Sequence, residues 1–263
     1  MSALGRTRAG FRRPPVTFAG VDTELRTVEA NGISLAYRAW GPEGAPPVLL
    51  LHCRGGDGAD WAPVAGRLAA GRRRVYAPDL RGHGRSGWPG TYTYEAMRDD
   101  VRAFLDALGV ARADVVAHSL GGAVACLLAQ DAPDGVRRLI LEDVPAPLPF
   151  DPPRRAAARP DGALPFDWAM IRASDAQRNA PVPLWWDRMP RIAAPTLVIG
   201  GGPGSPIPQD EVAALTARIP GARMVTVAAG HLVHEERPEE FLAVVEPFLG
   251  AGGATSSLAR TPS

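Results

Sequence analysis

The sequence predicts an α/β protein with a mostly parallel central sheet and helices on both of its faces. Three observations support this prediction. Short apolar runs typical of buried strands alternate with longer segments of helical periodicity over most of the chain. An Asn31-Gly32 pair between two strand-like runs indicates one hairpin before this alternation begins. A proline-rich stretch then interrupts the alternation once, between two of the predicted strands.

The elements follow one another in a simple order. Strands are predicted over residues 27–30, 33–40, 47–52, 74–78, 114–117, 138–142, 196–200 and 223–227, and helices over 61–70, 94–108, 120–130, 210–219 and 238–249. A continuous apolar run, as in residues 47–52, is typical of a strand buried on both faces. Because strands joined through helices pair in parallel, the alternating order implies a parallel sheet.

One folded domain is expected over residues 23–249. Residues 1–22 are basic, rich in Gly and Pro, and lack the apolar core of a signal peptide, so we predict a mobile arm. Residues 250–263 are small or polar and predict a disordered tail.

The insert occupies about residues 145–190. Seven prolines from Pro145 to Pro165 exclude a regular element there, and short helices are expected between residues 166 and 189. An insert of this length often forms a lid. The alternative is a packed surface excursion with no functional part.

Composition and charge exclude several classes of protein. The chain has 263 residues, 46% of them hydrophobic, and a net charge of +1, which gives no reason to expect a nucleic-acid or membrane partner. Two cysteines are too few for a disulfide framework, so a cytoplasmic location is expected. The expected partner is a small-molecule substrate, and a homodimer is left open.

The segment VVAHSLGG at residues 115–122 reads as a strand, a serine and a helix. Ala117 and Gly121 flank Ser119 with small side chains, as a sharp strand-to-helix turn requires, and such a turn exposes the serine hydroxyl. The alternative is that Ser119 only caps the helix.

Four stretches together resemble the α/β-hydrolase superfamily. They are LLLH at residues 49–52, DLRGHGRS at 79–86, the turn segment at 115–122 and GHLVHEERP at 230–238. The resemblance covers about residues 25–249 and implies the α/β-hydrolase fold, with Ser119 as nucleophile and a chain order of serine, acid and histidine. No cofactor is expected, since the sequence has no P-loop and no metal-ligand cluster at plausible spacing.

The resemblance implies that His231 is the general base. A serine hydroxyl needs an adjacent base near neutral pH. His231 follows a predicted strand and a glycine near the C-terminus. His234 is the alternative general base, but the position of His231 in the motif favours His231.

The acid departs from the commoner pattern of the family. Gly204 occupies the position after the strand at residues 196–200 where most relatives carry an aspartate. Asp143 ends the preceding strand, at the edge where open α/β sheets place their ligands. Some haloalkane dehalogenases carry their acid there, which implies that Asp143 orients His231. Glu142 is the alternative acid, or Asp143 only caps a turn.

The oxyanion hole requires two backbone N–H donors. The resemblance assigns these donors to Leu120 and Arg54. Cys53 stands where relatives usually have glycine, and we interpret it as a partly buried thiol. The Arg54 guanidinium either binds a substrate carboxylate in the pocket or points to solvent.

Four aromatic side chains of the insert are candidates for the wall of an apolar substrate pocket: Phe150, Trp168, Trp185 and Trp186. They could equally form a small core within the insert.

These residues predict a serine hydrolase that cleaves a carboxylic ester, lactone or thioester of a small molecule through an acyl-enzyme. Ser at position 119 disfavours epoxide hydrolysis and dehalogenation, which use an aspartate nucleophile. The alternative is a non-hydrolytic lyase, cyclase or acyl transferase of secondary metabolism. A binding protein without activity is a third hypothesis.

Overall fold

The computed structural model describes residues 24–150, 152–153 and 155–250. A hairpin of β1 (Leu25–Ala30) and β2 (Ile33–Trp40) opens the sheet, with Asn31 and Gly32 both at positive φ in the turn. The other strands are β3 (Pro47–Leu51), β4 (Arg74–Pro78), β5 (Ala113–His118), β6 (Val136–Glu142), β7 (Thr196–Gly200) and β8 (Arg223–Thr226).

These eight strands form one sheet in the order β1-β2-β4-β3-β5-β6-β7-β8. The pairs β1–β2 and β2–β4 are antiparallel, and every later pair is parallel. This arrangement confirms the predicted fold class. Because β3, β5, β6 and β7 are neighbours, the loops that follow their carboxyl ends meet at one edge of the sheet.

In the part of the chain that the structure describes, eight α-helices connect the strands or follow them. They are α1 (Ala62–Ala70), α2 (Tyr94–Ala107), α3 (Leu120–Asp131), α4 (Trp168–Asn179), α5 (Pro183–Asp187), α6 (Gln209–Arg218), α7 (Val233–Glu236) and α8 (Pro238–Gly250). None of the helices in the described part of the chain has both the length and the apolar character needed to cross a bilayer.

The central strands are buried on both faces. Leu49 and Leu51 of β3 belong to the core on one side of the sheet, and Val48 and Leu50 belong to the core on the other. Successive side chains of a strand point to opposite faces, so a strand between two layers of helices must be apolar at every position.

The loop at residues 79–86 is structural. Asp79 accepts hydrogen bonds from the backbone N–H groups of Gly58 and Arg85, each at 2.9 Å, and His52 Nε2 accepts one from Leu80 N at 2.9 Å. These contacts join the loops that follow β3 and β4.

The insert lies between β6 and β7 and contains α4 and α5. The described residues from Pro145 to Pro165 contain no helix or strand, as the proline density predicts. Hydrogen bonds anchor α4 to the body of the domain, from Gln177 Nε2 to Tyr92 O at 3.0 Å and between the hydroxyls of Tyr94 and Ser174 at 3.1 Å.

Two predicted terminal segments fall mainly outside the described residues. The arm at residues 1–22 lies wholly outside them, and so does the tail from residue 251. Gly250, the first residue of the predicted tail, is instead the last residue of α8.

Candidate active site

Ser119 stands alone between the end of β5 and the start of α3. Its backbone has φ 51° and ψ −111°, a conformation that costs a non-glycine residue about 1–3 kcal/mol. The Ser119 side chain makes no capping hydrogen bond to the helix, which argues against a purely capping role. The turn instead holds the hydroxyl at the carboxyl edge of the sheet.

Gly121 and Gly122 are small because the turn is tightly packed. A Cβ atom on Gly121 would lie 2.6 Å from the carbonyl oxygen of Leu51 and 2.7 Å from that of His52. A Cβ atom on Gly122 would lie 2.2 Å from Val144 Cγ2. All three distances are shorter than any normal contact, so α3 approaches the sheet this closely only with glycine.

His231 lies between Ser119 and Asp143. Its Nε2 atom is 3.0 Å from Ser119 Oγ, and its Nδ1 atom is 2.6 Å from Asp143 Oδ2. The structure therefore brings together the three predicted catalytic side chains. An imidazole held in this way can accept the hydroxyl proton on one nitrogen while the carboxylate stabilises the resulting charge.

Asp143 is held by donors that the sequence analysis missed. Besides His231, its carboxylate accepts hydrogen bonds from Gly201 N at 3.0 Å, from Gln209 Nε2 at 3.0 Å and from the Ser205 hydroxyl. Burial alone would raise the pKa of Asp143, but the hydrogen bonds from His231, Ser205 and Gln209 hold it below its usual range.

The loop that follows β7 thus supplies donors instead of an acid. Gly204, at the family's commoner acid position, carries no side chain, and the next residue, Ser205, donates its hydroxyl to Asp143. Nothing in the spacing of the glycine- and proline-rich loop at residues 200–208 pointed to Ser205 or Gln209 as partners of Asp143.

Glu142 pairs with His234 and not with His231. Its carboxylate lies 2.7 Å from His234 Nδ1 and also accepts a hydrogen bond from His234 N at 3.0 Å. Burial opposes charge on both side chains, yet their mutual attraction raises the pKa of His234 and lowers that of Glu142. Glu142 and His234, the alternatives considered as acid and base, therefore pair with each other.

The two predicted oxyanion donors lie at the same edge of the sheet. Within the described residues, neither Leu120 N nor Arg54 N donates a hydrogen bond to another group. Both residues border the cavity next to Ser119. Burial, and then the nearby Asp60 and Glu235, raise the pKa of the Cys53 thiol to about 12, so it is not a nucleophile at neutral pH.

The Arg54 side chain has a partner that the sequence did not predict. Its guanidinium forms an ion pair with Asp175 of α4. Arg54 also borders the cavity next to Ser119. The ion pair therefore links the loop after β3 to the insert at the edge of the candidate site.

An apolar cavity extends from Ser119 between the sheet edge and the insert. Phe150 and Trp185 line this cavity, as predicted. Other lining residues, which the sequence analysis did not identify, include Tyr94, Cys126, Leu127, Val144, Leu148, Met189 and Leu215. The insert covers the nucleophile with mainly apolar surface.

The prediction that Trp168 and Trp186 line the substrate pocket is wrong. Trp168 and Trp186 are both partly buried and pack against the core. The Arg218 guanidinium also lies 5.4 Å from the centre of the Trp186 ring. Neither residue lines the cavity. Neighbouring residues of a helix point about 100° apart, and in α5 this turn directs Trp186 away from the cavity that Trp185 lines.

The comparisons with known proteins agree with this geometry. The family model described as "alpha/beta hydrolase fold" matches residues 46–182. Lipase LipV of Mycobacterium tuberculosis is 28% identical over 83% of this chain and 98% of its own length. Esterase YbfF of Escherichia coli is 27% identical over 77% of this chain and 92% of its own length.

A solved structure extends the agreement to three dimensions. The enol-lactonase from Burkholderia xenovorans matches with a TM-score of 0.74 and 26% identity, over 86% of this chain and all of that chain. The sheet order, the turn at Ser119 and the matched family model lead to one conclusion: the chain belongs to the α/β-hydrolase fold family.

Proposed function

We propose that this chain is a serine hydrolase that cleaves a carboxylic ester, lactone or thioester of a small molecule through an acyl-enzyme. The observation that carries the proposal is the position of His231, whose two ring nitrogens contact Ser119 at 3.0 Å and Asp143 at 2.6 Å. The ester-cleaving names of the lipase, esterase and enol-lactonase relatives support the same reaction class.

Acylation begins with attack of Ser119 Oγ on the carbonyl carbon of the substrate. The Ser119 proton passes to His231 Nε2, and the carbonyl oxygen becomes an oxyanion. His231 then gives this proton to the leaving alcohol or thiol as the carbon–oxygen or carbon–sulfur bond breaks. Asp143 stabilises the imidazolium while it exists, since its carboxylate faces Nδ1.

The oxyanion is bound by two backbone donors, Leu120 N–H and Arg54 N–H. Leu120 is the first residue of α3, so the positive end of the helix dipole adds to the stabilisation of the oxyanion. Such donors stabilise the transition state more than the ground state, because charge on the oxygen develops during attack.

Deacylation repeats these steps with water. His231 Nε2 takes a proton from the water, whose oxygen attacks the acyl carbon of the intermediate. The bond to Ser119 Oγ breaks, and the proton moves from His231 to Ser119, so the free enzyme and a carboxylic acid result.

The cavity argues for a substrate with an apolar portion. Trp185, Met189 and Leu215 belong to its wall, where an alkyl chain or ring would lose contact with water. We interpret the insert as a lid over this portion of the substrate. Its anchoring hydrogen bonds to the body imply that any opening is confined to part of the insert.

The alternative of a non-hydrolytic enzyme rested on a displaced acid and an altered oxyanion loop. Since Asp143 contacts His231, the first of these two motives disappears, and we retain hydrolysis as the proposed reaction.

Labelling with a fluorophosphonate tests the nucleophile. The probe should modify wild-type protein at Ser119, as mapped by mass spectrometry, and should fail to modify Ser119→Ala. Ser174→Ala is the matched control because Ser174 also lines the cavity, and it should still be labelled. Labelling at Ser174, or undiminished labelling of Ser119→Ala, would refute the assignment.

A further inference from the structure

Three buried side chains that could ligate a metal ion lie close together near the nucleophile, and none of them lines the cavity. His118, Glu142 and His234 each offer one ligand atom, and these three atoms lie within 4.8 Å of one another. The three residues are 0%, 0% and 2% exposed. They come from the end of β5, the end of β6 and α7, so this group forms only when the chain folds.

Three ring nitrogens in this group lack partners. Both nitrogens of His118 and the Nε2 atom of His234 make no hydrogen bond to any described residue, although they are fully buried. Buried polar atoms normally find a partner. Three such nitrogens beside a carboxylate therefore indicate that the group is built to hold something.

We propose that His118, Glu142 and His234 bind a divalent transition-metal ion of the zinc class. Two imidazoles and one carboxylate are a set of protein ligands typical of zinc, with a fourth position left for water. Imidazole donors favour such an ion over magnesium or calcium, which prefer ligands made only of oxygen. The Glu142 carboxylate supplies the negative charge that a buried dication needs.

The surroundings fit a rigid metal site. Trp61 stacks on His234 with ring centres 3.8 Å apart, and the tilted ring of Phe241 lies beside His234 with ring centres 6.0 Å apart. These aromatic rings restrict the rotation of His234 and exclude bulk water. The backbone N–H of His234 donates to Glu142 at 3.0 Å and helps to orient the carboxylate, as outer hydrogen bonds do at metal sites.

The site is separate from the catalytic side chains but touches them. His231 is not needed as a ligand, because both of its nitrogens already contact Ser119 and Asp143. The His118 ring nevertheless lies 4.5 Å from the His231 ring, and His118 precedes Ser119 in the chain. An ion bound to His118 would therefore lie close to the nucleophile and the base.

Metal titration of the purified full chain tests the proposal without any substrate. After treatment with a chelator, the protein is titrated with Zn²⁺ by calorimetry and with Co²⁺ by visible absorption. We expect one equivalent of each ion, with the absorption of a four-coordinate Co²⁺ centre. Glu142→Gln and His234→Gln should each weaken Zn²⁺ binding at least about tenfold to a hundredfold.

Controls separate this site from other ligands. His231→Ala removes the nearest imidazole outside the group, and Cys53→Ser removes a buried thiol, so both should still bind one equivalent. Circular dichroism identifies any variant that has not folded, and Glu142→Gln nearly preserves the shape of the side chain. No Zn²⁺ uptake by wild type, or equal uptake by folded Glu142→Gln and His234→Gln, overturns the proposal. Either result is independent of ester hydrolysis.

Discussion

Asp143 Oδ2 lies 2.6 Å from His231 Nδ1, although the two residues are 88 positions apart in the sequence. Asp143 directly follows β6, with a positive φ of 48°, and His231 lies between β8 and α7, where β8 is two strands from β6 in the sheet. The contact fixes the proton on Nδ1 and leaves Nε2 free to accept the serine proton.

Replacing Asp143 by asparagine should lower kcat by roughly 10⁴-fold, because the amide cannot stabilise an imidazolium and favours the wrong tautomer of His231. Steady-state hydrolysis of a p-nitrophenyl ester measures this change. Asp210→Asn is the control, since Asp210 is an exposed first-turn residue of α6 and should leave kcat nearly unchanged. Wild-type kcat in Asp143→Asn would remove this residue from the mechanism.

An aspartate at position 204 is expected to restore part of the activity that Asp143→Asn loses. A Cβ atom there would lie no closer than 3.8 Å to Gly230, so a side chain fits beside the residue that precedes His231. In the Asp143→Asn background, Gly204→Asp should restore kcat by about tenfold or more, since coupled neighbouring residues interact by about 0.5–3 kcal/mol.

The matched control for the rescue is Gly204→Asn in the same background, which has the same size and no charge. It should give no gain in kcat. Equal kcat for the two double variants would mean that position 204 is out of reach of His231.

The sheet was predictable because its strands follow local patterns. The alternation of short strand-like runs with helical segments located every strand of the parallel sheet, and the Asn31-Gly32 turn located the hairpin. The ends were less accurate: β6 begins at Val136, two residues before the predicted start. A strand ends where its hydrogen-bonded ladder ends, and that depends on the neighbouring strands.

The candidate site was predictable only where a local motif marks a residue. Ser119 and His231 stand in such motifs, whereas Ser205, Gln209 and Asp175 act through contacts between distant segments. The tryptophans of the insert show the same limit. Whether Trp168 or Trp186 faces the cavity depends on the rotation of a short helix, which three clustered tryptophans do not determine.

Ser205 is expected to hold Asp143 in its charged form. Ser205→Ala removes a hydrogen bond to a carboxylate, so it should destabilise the fold at neutral pH by about 1.5–3 kcal/mol. The pKa of Asp143 is lowered in the folded state, so this stabilisation is present above the unfolded pKa and is lost as pH falls through the folded one.

Urea unfolding of wild type and Ser205→Ala at pH 7 and near pH 3 measures this dependence. The difference between the two proteins should shrink at the lower pH. Ser205→Thr keeps the hydroxyl and should remain closer to wild type at both values. If the difference in stability between wild type and Ser205→Ala does not depend on pH, the loss comes from packing or from the hydrogen bond that Ile207 N–H donates to the Ser205 hydroxyl.

Gly121→Ala should disturb the turn at the nucleophile. The added methyl group would meet the carbonyl oxygens of Leu51 and His52, which are backbone atoms and cannot rotate away. We expect a loss of about 1–3 kcal/mol in the free energy of unfolding, together with a lower kcat. Gly66→Ala is the control, because a Cβ on this α1 residue meets nothing within 4 Å and should stabilise by about 0.5–1 kcal/mol. Equal effects of the two substitutions would contradict the packing argument.

Asp175 is expected to limit the attraction of the site for anionic substrates. It neutralises the Arg54 guanidinium, so Asp175→Asn should free a positive charge at the edge of the cavity. The p-nitrophenyl esters of hexanoic acid and adipic acid have the same chain length, and only the second carries a carboxylate. The ratio of their kcat/KM values, adipate over hexanoate, should rise by up to about tenfold in Asp175→Asn, which corresponds to roughly 1.4 kcal/mol for a charge-assisted hydrogen bond. Adding Arg54→Gln should cancel this rise, because the backbone N–H is retained while the guanidinium is lost. If the ratio rises equally without the guanidinium, or does not rise in Asp175→Asn, then Arg54 does not face the substrate.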